Sequence, residues 1–226
     1  YEFGIDISLS VQGILKNSQK PWKKNGLKPG DILFLSRPLG VGIIFAAQMQ
    51  NINLFNSTNM LHKNLITSQQ ILVDQIYQIE DKLGENIING ATDITGFGLI
   101  GHLKEMINSS NLERKNKNLK QIRAIVNLMA LRAYPNVMEL IRKGIRSTLF
   151  EGNKKIYSEI VEKEFNQREI IFKEEDNLSK TQINDKVELL LDPQTCGPIL
   201  ISCQPKYGKY FKRNWYQIGK ICDQDI

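Results

Sequence analysis

The segment ATDITGFGLIGHLKEM, residues 91–106, limits the fold more than any other stretch of the chain. An acid, Asp93, and two hydroxyls, Thr92 and Thr95, lead through Gly96 and Gly98 straight into an apolar helix. Glycines let the backbone approach a ligand closely, and the free N–H groups of a helix N-terminus favour an anion. A carboxylate beside such a cradle is where Mg2+ would bridge protein and nucleotide. The same residues read equally well as a helix cap, with Asp93 or Thr95 accepting the first orphan N–H groups. Local chemistry leaves both readings open. The run Gly96-Phe97-Gly98-Leu99-Ile100-Gly101 also spells the dinucleotide fingerprint, which needs a strand immediately before it and an acid about 20 residues later. Only Ile87-Ile88 precede it, followed by Asn89 to Asp93, and Lys117 to Arg123 offers no carboxylate at the acid position. The Rossmann reading fails its context, and no P-loop is present.

Around this segment the chain alternates between strand and helix patterns. Phe3, Ile5, Ile7, Leu9 and Val11 recur with a period of two, which predicts a strand with one buried face. Lys28-Pro29-Gly30-Asp31 suits a type II turn delivering Ile32 to Leu35, an apolar strand covered on both faces. Val41 to Gln50 reads as a short, mostly buried helix, and residues 51–67 follow no clear period. Leu72, Ile76, Ile79 and Leu83 form one helical stripe closed by Gly84. Leu99, Leu103, Met106 and Ile107 form another. Ile122 to Leu128 alternates as a strand, and Pro135 reads as the first residue of a helix ending at Gly144. Residues 153–182 read as helix, then loop. Strands are expected at 187–191, 199–201 and 216–222. Mixed elements without strict alternation predict an α+β fold, a layered mixed β-sheet with packed helices.

Composition narrows the class further. A chain of 226 residues with 41% apolar and 24% charged residues can bury a core, and no stretch approaches the length of a membrane helix. The N-terminus carries no initiator Met and no signal-peptide pattern, so the chain reads as opened at its front. Most of the net charge of +6 lies in Lys16 to Lys28 and Arg114 to Arg123. Neither stretch interleaves aromatics for base stacking, so solvated loops are expected and no nucleic-acid partner. Cys196, Cys203 and Cys222 form no C-x-x-C pair; buried core thiols in a reducing cytoplasm are the expectation.

Asp93-Ile94-Thr95-Gly96-Phe97-Gly98-Leu99-Ile100-Gly101-His102 resembles the C-terminal half of the selenophosphate synthetase (selenide, water dikinase) family. That family belongs to the ATP-binding superfamily of aminoimidazole ribonucleotide synthetase. Three further segments resemble the family in the same order. They are Leu27-Lys28-Pro29-Gly30-Asp31 with Arg37-Pro38-Leu39-Gly40-Val41-Gly42, then Gly144-Ile145-Arg146-Ser147-Thr148-Leu149 with Asn153, then Leu191-Asp192-Pro193-Gln194-Thr195-Cys196-Gly197. Cys196 stands where the family has Ser and Pro198 where it has a second Gly, so that an amide contact there is lost.

The resemblance implies a fold like the C-terminal domain of that superfamily. Residues 1–24 would end a preceding N-terminal domain or form a linking strand, and residues 25–226 would form the C-terminal domain. It implies ATP as substrate and Mg2+ as cofactor, with selenide and water converted to selenophosphate, AMP and phosphate by the whole enzyme. Asp93 would be the metal ligand, buried, and Thr92, Thr95, Gly96 and Gly98 the nucleotide and phosphate loop. No catalytic residue is expected in this chain, because the reactive Cys or selenocysteine and its Lys belong to the N-terminal half. The implied partners are that half of the same polypeptide and a second copy in a homodimer, in the cytoplasm without membrane attachment. His102 reads as a hydrogen-bonded structural histidine. A non-catalytic scaffolding domain, or a purine- or thiamine-branch member of the superfamily, remains the alternative.

Overall fold

The computed structural model describes residues 8, 10–15, 19–52, 55–173 and 179–224. The elements run β1 (Ile32–Leu35), α1 (Val41–Met49), α2 (Phe55–Ile66), α3 (Gln70–Leu83), β2 (Ile88–Asp93), α4 (Gly98–Asn116) and β3 (Ile122–Asn127). They continue as α5 (Val137–Arg142), α6 (Phe150–Val161), β4 (Ile170–Lys173), α7 (Lys180–Leu191), β5 (Ile199–Cys203) and β6 (Tyr216–Asp223). The strands form one sheet in the order β2-β5-β1-β6-β3-β4, antiparallel except for the β3–β4 pair. This is the expected α+β layered architecture.

Alternation along the strands sorts the apolar residues into two clusters, one on each face. Leu33 and Leu35 of β1, Leu200 of β5, Ile218 and Ile221 of β6, and Ile122, Ala124 and Val126 of β3 meet α1, α4, α5, α6 and α7. Phe34, Ala91, Ile201 and Cys203 face the other way, toward Ile76 of α3 and Tyr207, Phe211 and Trp215. The run Ile32 to Leu35 is therefore covered on both sides, as its uninterrupted hydrophobicity implied. Before it, Gly30 takes φ 88° and the Asp31 N–H donates to the Lys28 carbonyl at 3.1 Å, closing the expected turn.

Several expectations are corrected. Residues 187–191 are not a strand but the last turns of α7. Ser179 and Gln182 start that helix with a reciprocal capping box, and Ile183, Val187, Leu190 and Leu191 keep helical spacing toward the core. A strand does precede the glycine run, contrary to the reason given against the Rossmann fingerprint. Gly90 sits beside a register shift in β2, where an added Cβ would meet Leu27 at 3.0 Å and Met106 at 3.2 Å. That strand pairs antiparallel with β5, and three strands separate it from β3, so β2, α4 and β3 do not form the adjacent βαβ unit that the fingerprint requires. Pro135 stands two residues before α5, whose preceding residue is Asn136 at φ 64°. Residues 153–182 contain β4, and 51–67 contain α2. Cys203 alone of the three thiols is fully buried; Cys196 is exposed and takes φ 47°. Arg123, grouped with a solvated run, is 1% exposed inside β3. The strand expected over residues 3–11 lies mostly outside the described residues, and Val11, which is described, is 82% exposed and in no strand.

Candidate functional site

Four loops meet at one end of the sheet, and each comes from a segment singled out in the sequence. The turn from β2 into α4 is tied to the loop after α7 by main-chain bonds. Ile94 N–H donates to the Pro198 carbonyl at 2.9 Å, and Gln194 N–H donates to the Thr95 carbonyl at 3.0 Å. Pro198, which has no N–H, is thus used through its oxygen. Gly197 is required there, because a Cβ would stand 2.1 Å from the Ile94 oxygen. Asn153 of α6 donates through Nδ2 to the Gly96 carbonyl at 2.9 Å and the Leu191 carbonyl at 2.8 Å, pinning the third loop to the first two.

The fourth loop enters α1. Asp192 Oδ2 accepts the Gly42 N–H at 3.0 Å, and Gln194 Oε1 accepts the Val41 N–H at 3.3 Å, which satisfies helix N–H groups that lack internal partners. Gln194 Nε2 donates to the same Asp192 oxygen at 3.0 Å. Gly42 leaves space for this approach, since a Cβ would lie 2.7 Å from Asp192 Oδ1. Asp192 is 1% exposed, and burial pushes its carboxyl up to about 8 against the opposing pull of the Gly42 and Ile43 amides, Gln194 and Arg146. Arg37 donates to the Cys196 and Thr67 carbonyls, holding the tip of the loop after α7.

Between these loops lies a cleft of about 380 Å³ lined by Gly42, Phe45, Ala46, Met49 and Gln50 of the α1 region, Gly96, Arg146 to Leu149, and Pro193 to Thr195. Its rim is partly apolar: Met49 is 82% and Leu149 55% exposed. Arg146 contributes a half-buried cation that pairs with Glu188 and donates to the Ile141 and Ile145 carbonyls at 2.7 and 2.8 Å. Ser147 Oγ is buried without a hydrogen-bond partner among the described residues.

Of the residues expected in the phosphate loop, Gly96 lines this cleft. Thr95 supplies the carbonyl that joins the loops, while its hydroxyl lies 3.0 Å from His102 Nε2. Gly98 takes φ 63° against the end of α7, and Thr92 is buried with its hydroxyl on the Asp93 carbonyl. Asp93 is exposed at the end of β2, not buried, because it is the last residue of an edge strand. Neither the Asp93 nor the Thr95 side chain caps α4; Phe97 stands at the cap position without a side-chain bond, and the Gly98 N–H donates to the Thr95 carbonyl at 3.1 Å. Among the described residues no three metal-ligating side chains cluster. Asp192, Gln194 and Asn153 carry the geometry, yet the sequence reading quoted them only as motif letters.

Residues 28–225 match the family model of the AIR synthase related protein, C-terminal domain. The selenide, water dikinase of Haemophilus ducreyi is 26% identical over 190 residues, spanning 84% of this chain and 44% of its own length. That of Pseudomonas straminea is 30% identical over 192 residues, spanning 81% of this chain and 43% of its own length. Thiamine-monophosphate kinase from Stenotrophomonas maltophilia K279a shares the fold, with a TM-score of 0.51 and 13% identity over 89% of this chain and 50% of that one. The chain thus spans less than half the length of these curated relatives.

Proposed function

The chain belongs to the AIR synthase related protein C-terminal domain family, and from that premise we propose that it forms the C-terminal half of a selenide, water dikinase-type phosphotransferase. The convergence on one cleft of Gly42, Gly96, Arg146 to Thr148 and Pro193 to Thr195, one stretch from each family-like segment, carries this reading. Phosphoryl transfer draws most of its catalysis from positioning and charge neutralisation, and loops locked to one another by main-chain bonds suit that task.

Asp93 fits one ligand position of a Mg2+ ion. It is exposed, and no hydrogen bond or ion pair engages its carboxylate among the described residues, leaving hard oxygen donors free. A bound Mg2+ would neutralise charge on transferring phosphate oxygens. A lone carboxylate is not a full coordination sphere, so the other ligands come from the nucleotide and from the N-terminal half. Thr92, Thr95, Gly96 and Gly98 set the backbone of the turn that carries Asp93. Residues 1–24 connect to that half, and residues 25–226 form the domain itself. By itself the chain is catalytically silent.

The test uses the full-length parent. Asp93→Asn should lower AMP formation from ATP and selenide by about 100-fold or more while the melting temperature stays put, since the residue is exposed and caps nothing. Wild-type turnover and Mg2+ dependence in this variant would remove the metal role. AMP release by the pure 226-residue chain would overturn the division of labour.

A further inference from the structure

The Gly96–His102 run places only Gly96 on the cleft; its other distinctive residues hold the turn. Gly98 needs φ 63°, and a Cβ there would stand 2.7 Å from the Leu190 oxygen. Gly101 makes room for Phe97, because a Cβ at 101 would lie 2.6 Å from that of Phe97. His102, 6% exposed, reaches back from α4 to the turn: Nε2 accepts the Thr95 N–H at 3.1 Å. The Thr95 hydroxyl, 3.0 Å from the same nitrogen, can turn to donate or accept. The main-chain N–H can only donate and requires a lone pair on Nε2, which puts the proton of the neutral ring on Nδ1.

Nδ1 gains nothing from this arrangement. It is buried without a hydrogen-bond partner among the described residues. Glu105 Oε2 lies 3.9 Å away and already accepts from Lys24 Nζ at 2.8 Å. A buried donor left unpaired is costly. The tautomer therefore serves the turn and not the ring's own hydrogen-bonding needs.

We propose that His102 is a positioning residue for the Asp93–Gly98 turn, acting through its Nε2 lone pair on the Thr95 amide. The Ile94 amide is held by the Pro198 carbonyl, and this bond fixes the other amide between Asp93 and Gly96, and so sets how the carboxylate and the cleft-lining glycine are presented together. What the turn is positioned for rests on the phosphoryl-transfer reading; the positioning itself does not. Burial keeps the imidazole neutral by pushing its pKa down, with Lys24 adding to that effect and Asp93 and Glu105 opposing it.

The experiment is nuclear magnetic resonance on the full 226-residue chain, which has two histidines, His62 being exposed and serving as the reference. Long-range proton–nitrogen correlation should show His102 protonated on Nδ1 and bare on Nε2. His102→Leu, which fills space without an acceptor, should speed hydrogen exchange of the Thr95 amide by about tenfold or more. His102→Gln, whose amide oxygen reaches the Nε2 position, should restore protection. A proton on Nε2 in the wild type, or Thr95 protection unchanged in a folded His102→Leu chain, would overturn the proposal. If His102→Leu does not fold, failure of His102→Gln to protect Thr95 overturns it equally. Neither readout involves ATP, so loss of the phosphoryl-transfer reading leaves this result standing.

Discussion

Asp192 and His102 sit behind the same loops and respond to pH in opposite directions. The Asp192 carboxyl rises from 3.8 to about 8 on folding because burial outweighs its amide donors. A raised pKa means the native state holds the proton more tightly, so this contribution is complete below about 4 and is lost as pH climbs toward 8. His102 is lowered from 6.5, so its contribution is complete above that value and is lost as pH falls through its depressed folded pKa. Asp192→Asn should accordingly flatten the fall in stability between pH 4 and 8, read as unfolding free energy against denaturant at several pH values. A wild-type pH profile in that variant would show that Asp192 is ionised throughout. At this scale the letters were legible but not the roles. Asp192 was visible as the start of a family-like loop, yet its task at the N-terminus of α1 depends on Gly42, 150 residues away. Asp93 was legible as chemistry and misjudged as buried, because edge position is a property of the sheet.

At the scale of elements, helices and strands were readable wherever one face alone was buried. The stripe in α3 is such a case, and in β3 the apolar residues Ile122, Ala124 and Val126 alternate even though Arg123 between them is buried as well. The reading failed at Val187 to Leu191, where an unbroken apolar run hides its period. The capping pair Ser179 and Gln182, eight residues upstream, carried the missing signal. Ser179→Ala should therefore destabilise the chain by about 1 kcal/mol through loss of a helix cap. Glycines separate just as sharply by environment. Gly98→Ala forces a left-handed conformation and a clash with Leu190, costing upward of about 1–2 kcal/mol. Gly152→Ala, in α6 with nothing within 4 Å of its added methyl, should gain about 0.5–1 kcal/mol. Denaturant titration of the two variants would show opposite signs; the same sign for both would mean that the turn into α4 relaxes around a methyl group.

For the whole molecule, the α+β class was legible because strand and helix periods are mixed along the chain, whereas the strand order was not. Pairing β1 with both β5 and β6 joins residues about as far apart as the chain allows, and no local pattern encodes it. That order has an energetic consequence. β1 is central, and its neighbouring side chains point into different clusters: Leu33 into the helical layer, Phe34 onto Phe211 at a centroid distance of 5.2 Å. The two faces share one hydrogen-bonded strand, so neither can melt without exposing the backbone on which the other is built. Leu33→Ala should cost about 2–5 kcal/mol and Phe34→Ala about 3–5 kcal/mol. Although these losses fall in separate clusters, each should lower the same single calorimetric transition. The double variant should shift it further without splitting it. Two resolved transitions, with each substitution moving only one of them, would show that α3 and the segment around Tyr207 to Trp215 fold as a layer apart from the sheet that presents the cleft.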